Sequence, residues 1–312
     1  MTVRAEVGDT IERPVRRTRR PGYRRAARFA LLYAALFGLC AVILLPLGWM
    51  ITVALKPDFE PVFTFPPQWF PTEHWHWENF SRALLGQDRT TGSGAAAPGT
   101  APFLRYTINT LIIVAGNIVG TVFSCALVAY AFARLRFRGR EFLFNLLIIT
   151  LLIPWQTLMI PQFLMFFHIG WYGSYLPLIV PAFFGNAFFI FLIRQYMRTI
   201  PRDLENAARI DGANHFQVFW HIVLPLCKPV LAVCVVFVFL GEWNDLLGPL
   251  IYLDSNEEFT VAIGMANLVT SGFPALNLLM AANLVMMLPA VLLYFFAQEK
   301  LIGGIASVGL KG

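Results

Sequence analysis

Residues 104–132 read LRYTINTLIIVAGNIVGTVFSCALVAYAF, and Arg105 is the only charged side chain among them. A helix rises 1.5 Å per residue, so this stretch exceeds the roughly 20 residues needed to cross about 30 Å of hydrocarbon. Five more runs have this character, at roughly 29–53, 142–167, 175–197, 229–251 and 276–297. Across all 312 residues, 57% are hydrophobic, 13% are charged, and the mean hydropathy is +0.63. Soluble domains carry about 25% charge, so this surface suits lipid rather than water. Disorder is excluded, because 29 Phe and 8 Trp would collapse. The expected fold is all-α: a polytopic membrane protein of six transmembrane helices. A basic tail at 1–28 precedes a transmembrane domain at 29–297, and a Gly-rich tail follows at 298–312. The first run is too long for a signal-peptide core and has no small-x-small cleavage site, so it reads as an uncleaved helix. Cys40, Cys125, Cys227 and Cys234 lie in or beside apolar runs without metal-type pair spacing, which predicts free thiols.

The loop cations set the orientation. Nine arginines precede the first run, Arg134 to Arg140 lie between the second and third, and Arg194 to Lys228 between the fourth and fifth; Lys300 and Lys311 follow the sixth. Only Lys56, Arg82, Arg89 and Arg105 fall on the other side. Lys and Arg concentrate in cytoplasmic loops, so both termini are expected in the cytoplasm. Cationic loops beside anionic lipid also account for the +6 net charge and pI of 9.3 without nucleic acid. The expected location is the cytoplasmic (inner) membrane of a bacterium or archaeon.

Outside, the loop at 54–103 has aromatic residues suited to a membrane interface (Phe65, Trp69, Trp75, Trp77), then a Gly/Ser/Ala/Thr linker at 90–101. His74-x-His76 lacks an evident third ligand, so no metal site is expected. The second outer loop, about 252–275, ends in the turn-forming Ser271-Gly272-Phe273-Pro274.

The loop between the fourth and fifth runs has helical structure of its own. Pro201, Asp203 and Glu205 suit a helix N-terminus. Leu204, Ala207, Ala208 and Asp211 share a face, and Gly212 ends the helix. A second piece repeats the spacing with Phe216, Phe219, Trp220 and Val223, then stops at Leu224-Pro225. Two alanines on one face permit close approach, and the Phe/Trp face is too apolar for water. Either the unit docks on a cytoplasmic partner or it lies on the inner leaflet.

Leu204-Glu205-Asn206-Ala207-Ala208-Arg209-Ile210-Asp211-Gly212-Ala213, continuing to Ile222-Val223-Leu224-Pro225, resembles the EAA loop of ABC-importer membrane subunits. Trp77-Glu78-Asn79-Phe80, Asn109-Thr110, Trp243-Asn244-Asp245 and the segment from Gln298 to Gly312 extend the resemblance to carbohydrate-type permeases, of the maltose type. The 90–101 insertion and Val308 depart from that pattern. The resemblance implies a coupling helix gripped by an ATPase subunit through Glu205, Asn206, Ala207, Ala208, Asp211, Gly212, Ala213 and Phe216. It implies that Gly303, Gly304 and Lys311 of the tail also reach the ATPases. Asn206 stands where the motif has Glu, so that contact becomes a neutral hydrogen bond or passes to Glu205, about 100° round the helix. Asn267, Ser271, Gly272 and Phe273 would meet an extracytoplasmic solute-binding protein. The implied partners are that protein, a second homologous permease, two ATPase subunits and the lipid bilayer, with no nucleic acid.

No hydrolytic triad is visible, which argues for transport rather than enzymatic activity. The nearest phosphate-loop match, Gly304-x4-Gly309, has Leu310 where Lys is needed. The chain is therefore expected to bind no cofactor, with ATP and Mg on the partner ATPases. Glu242, Trp243, Asn244 and Asp245 interrupt the fifth run, and polar groups at membrane depth usually face a cavity or partner. They suit a sugar, with the ring stacking and the polar groups meeting hydroxyls, or else a hydrogen-bonded cluster between subunits. Gln156, between Pro154 and Pro161, is a second candidate for the substrate path. The leading expectation is a sugar or oligosaccharide permease working by alternating access. The alternatives are a similar importer for a glycerophosphate or polyamine, or an integral-membrane enzyme or channel.

Overall fold

The computed structural model describes residues 23–58, 60–62, 64–71, 74–85, 103–270 and 276–309. The described residues are helical without strands. The described residues up to Trp49 form one compact unit and those from Met50 onward a second. In the first, α1 (Tyr23–Ala54) exposes Leu31, Phe37, Val42 and Ile43, as a lipid-facing helix would.

The second unit is built around α3 (Phe103–Arg134), which packs against α7 (Ala187–Thr199) and α11 (Lys228–Trp243). Small residues allow the approach. A Cβ on Gly120 would lie 2.8 Å from the Phe183 ring and 3.1 Å from the Ala182 backbone. Phe183 belongs to a chain that changes pitch, from α6 (Leu176–Ile179) through a 3₁₀ turn (Val180–Phe184) into α7. Such a change leaves carbonyls without helical partners, which hydrocarbon cannot satisfy. Side chains of α3 supply donors: Asn117 Nδ2 to Leu178 O at 2.9 Å and Ser124 Oγ to Ala182 O at 3.0 Å. Asn186 caps α7 by accepting from Phe188 N and Phe189 N.

Two expected spans are not continuous. The run at 142–167 divides into α4 (Arg140–Thr150) and α5 (Trp155–His168), which meet at 94°. Pro154 adopts extended geometry there and denies the preceding residue a helical conformation. The run at 229–251 stops at Trp243; Asn244 caps α11, and α12 (Leu247–Tyr252) restarts after it. Among the described residues, four helical segments are long and apolar enough to cross a membrane, or up to six if the bent pairs 140–150 with 155–168 and 215–226 with 228–243 each form one span.

At the end of the unit nearest α2 (Glu78–Leu85), polar residues hold the chain leaving α1. Asn79 is fully buried and donates to Ala54 O and Lys56 O at 2.9 Å. Arg82 grips Asp58 with two bonds, at 3.0 and 2.9 Å, and Asn277 of α14 (Leu276–Gly309) donates to the same carboxylate at 2.7 Å. Burial pushes the Asp58 carboxyl upward, but the Arg82 and Asn277 hydrogen bonds and the Arg82 charge outweigh it and hold the group below its ordinary 3.8.

Two predictions follow from this packing. Gly120→Val should lower stability by about 1–3 kcal/mol through overpacking, whereas Gly241→Ala, with open space around its Cβ, should not; thermal melts in detergent measure both. A carboxylate with a depressed folded pKa contributes stability above its unfolded value and loses it as pH falls through the folded one. Wild-type protein should therefore outlast Asp58→Asn at neutral pH, with the gap closing below pH 3.8.

Candidate functional site

The loop between α7 and α11 folds into a compact knob. α8 (Asp203–Ile210) has Asp203 and Glu205 in its first turn. It ends in a Schellman motif: Gly212 N bonds Arg209 O at 3.1 Å, Ala213 N bonds Ala208 O at 2.9 Å, and Gly212 sits at φ +87°. Asn214 then opens α9 (His215–Val218) with a reciprocal capping box to Gln217. A π turn (Phe219–Val223) leads into α10 (Leu224–Leu226), and α11 follows at 74°.

Glu205, expected as an alternative contact for the partner, faces inward in this chain. It is 4% exposed, and its Oε1 lies 2.7 Å from Arg134 Nε. Arg134 also donates to Met197 O at 2.6 Å and Ile200 O at 2.8 Å, the last carbonyls of α7. One guanidinium thus joins the end of α3, the end of α7 and the start of α8. The sequence reading counted Arg134 only as a loop cation. A basic residue closing an apolar run, with an acid in the next loop helix, was the available signal.

Around that anchor the remaining motif residues divide. Asn206, Ala207, Asp211 and Gly212 are exposed, while Ala208 and Ala213 pack on the core cluster with Met197, Val218 and Val223. The expected Phe/Trp face also divides. Phe219 and Val223 are buried, whereas Phe216 and Trp220 are exposed and stack with each other at 6.3 Å between centroids. Leu204 and Ile210 of α8 are also exposed, the latter at 86%.

The polar residues at the end of α11 have separate surroundings. Trp243 is buried, stacks on Phe239, and donates Nε1–H to Met286 O at 3.0 Å. Its ring therefore packs within the chain, between Phe239 and α14. Asn244 is exposed and donates to Leu240 O at 2.8 Å, and Asp245 accepts from Gly248 N at 3.3 Å. Glu242 is half-buried beside them, and Gln156 is exposed at the start of α5. Asn267 is exposed on α13 (Val261–Thr270). Ser271, Gly272, Phe273 and Lys311 lie outside the described residues, as do the 90–101 insertion and residues 1–22. Gly303 and Gly304 continue α14 as helix rather than as an extended tail. His76 Nδ1 lies 3.2 Å from Glu78 Oε1, and its ring stacks on His74. Asn109, part of the Asn109-Thr110 pair, donates to the carbonyls of Glu257 and Phe259.

Residues 123–306 match the family described as binding-protein-dependent transport system inner membrane component. The arabinooligosaccharides transport system permease protein of Bacillus subtilis is 31% identical over 214 residues, 69% of this chain and 76% of that protein. The osmoprotective compounds uptake permease protein of Synechocystis sp. is 30% identical over 286 residues, covering 90% and 91%. The maltose/maltodextrin transport system permease protein of Yersinia pestis is 28% identical over 296 residues, covering 92% and 96%. In fold, the chain is similar to a subunit in the crystal structure of a bacterial ABC transporter involved in the import of the acidic polysaccharide alginate. The TM-score is 0.71 at 22% identity, over 90% of this chain and 99% of that one.

Glu205→Ala should cost about 3–5 kcal/mol, because it strands the buried Arg134 cation. Arg134→Met with Glu205→Leu should cost less than either single change. Additive losses in a double-mutant cycle of thermal melts would mean that the two charges do not interact.

Proposed function

Because this chain belongs to the binding-protein-dependent transport system inner membrane components, we propose that it is the permease subunit of an ATP-driven importer for a sugar or oligosaccharide. Its work is transport, not catalysis. Relatives named for arabinooligosaccharides and for maltose/maltodextrin support the cargo class. In this reading both termini and the knob are cytoplasmic, and six spans cross a bacterial inner membrane. A second homologous permease pairs with the chain, and two ATPase subunits hold ATP and Mg. A solute-binding protein delivers cargo outside; a crystal structure of the alginate transporter with its alginate pentasaccharide-bound periplasmic protein, at a TM-score of 0.56, offers a parallel.

The observation that carries the proposal is the exposed, stacked Phe216–Trp220 pair, with Leu204 and Ile210 also exposed, on a knob whose base is locked by Arg134. Such a pair fits helix-in-groove docking, and a rigid base passes the motion of a closing ATPase pair into α3, α7 and α11. Ala207 and Gly212 would lie at the contact, and Asn206 would offer it a carboxamide. Glu242, Asn244 and Gln156 remain proposed for the solute path, Asn267 to Phe273 for the binding protein, and Gly303, Gly304 and Lys311 for the ATPases. A second reading, import of an osmoprotective compound, is supported by the Synechocystis relative named for uptake of such compounds. Thermal shifts of the cognate binding protein across a solute panel separate the two.

Proline cannot adopt the positive φ of Gly212. In the assembly reconstituted in liposomes, Gly212→Pro should leave ATP hydrolysis running while binding-protein-dependent uptake falls to background. Uptake at the wild-type rate would overturn the coupling role.

A further inference from the structure

Beside the knob, where α3 ends and α4 begins, lies a cavity of about 360 Å³. Arg134, Arg140, Arg194, Arg198 and Arg202 line it, with Glu141 the only carboxylate. The charges do not balance. Glu205 matches Arg134 at 2.7 Å, and Glu141 matches Arg140 at 2.6 Å. Arg194, which is 6% exposed, has a long Nε bond to Phe132 O at 3.5 Å, the second Glu141 oxygen at 3.9 Å, and the Phe144 ring 3.8 Å from its guanidinium, but no close carboxylate of its own. Among the described residues, the Arg198 and Arg202 side chains make no hydrogen bond or ion pair. A buried cation without a full partner is costly, and converging guanidinium groups present paired N–H donors in the geometry of a phosphate.

The cavity also has an apolar exit. Phe142, Leu146 and Ile149 follow one another at i, i+4 and i+7 along α4 and are 71%, 49% and 55% exposed. A second hollow, lined by Arg136, Phe137 and Phe142, adjoins the first through shared Arg140, Glu141 and Arg202. A cationic cup opening onto a greasy helix face matches a molecule with an anionic head and hydrocarbon tails.

We propose that this arginine cavity is a binding site for a phosphate-bearing anion, shaped to hold the headgroup of an anionic phospholipid with its acyl chains along α4. The lipid source rests on the topology proposed above, which places these helix ends at the inner leaflet, where basic pockets between helices bind such headgroups. A free phosphate has the same head chemistry but no use for the apolar exit.

Native mass spectrometry of the purified full chain tests the site, using equal amounts of phosphatidylglycerol and phosphatidylcholine with identical acyl chains. Wild-type protein should retain phosphatidylglycerol in excess. Arg198→Gln with Arg202→Gln, both exposed positions, should lose most of it, at roughly fivefold per arginine. Arg209→Gln with Lys228→Gln removes the same charge away from the cavity and should keep the excess. Retention against added inorganic phosphate identifies a lipid site, and displacement by phosphate identifies a free-anion site. Equal retention of both lipids without a phosphate effect, or equal loss in both double variants, overturns the proposal. The readout is lipid retention rather than uptake, so failure here leaves the importer assignment intact, and failed uptake leaves this site intact.

Discussion

Arg134 stands at the end of a long apolar helix, where burying a cation costs several kcal/mol unless every donor is used. Its Nε lies 2.7 Å from Glu205 Oε1, and its Nη2 donates to both the Met197 and Ile200 carbonyls. These partners lie at the end of α7 and in the first turn of α8, so the charge is satisfied only when α3, α7 and α8 end or begin at the right place. That requirement makes the knob an extension of the membrane helices rather than a tethered loop. Tyr130 Oη reinforces it one turn back on α3 by donating to His215 O, the first residue of α9.

The membrane class was legible in the sequence because composition and run length are direct consequences of the solvent the chain must meet. The limits of α8 were legible too, since Asp203, Glu205 and Gly212 each serve a helix end by a local mechanism. What was not legible depended on which neighbour a face would find. Periodicity placed Leu204, Ala207, Ala208 and Asp211 together, yet it had no means of showing that Ala208 turns toward the core and Glu205 toward Arg134. Trp243 shows the same limit. An indole beside an amide suits a sugar and suits a helix carbonyl equally well, and here it meets Met286 O.

The broken helices explain why a greasy chain keeps so many amides and hydroxyls at depth. Asn109, Asn117 and Ser124 lie on α3 at 7%, 5% and 8% exposure, and each donates to a carbonyl outside its own helix. A straight helix would not need them. They mark the points where the neighbouring backbone departs from regular pitch, and those departures give the central unit its bends.

The 74° corner between the knob and α11 is not a loose joint. Cys227 N bonds both Val223 O and Leu224 O, Leu231 N bonds Cys227 O, and Val223, Cys227 and Val230 are buried. The arms on either side, residues 215–226 and 228–243, are about 18 and 24 Å long at the helical rise. Two stiff arms fixed at such an angle work as a bell crank. A sideways push on the shorter arm becomes a tilt of the longer one, with a throw at the far tip larger than the push that caused it.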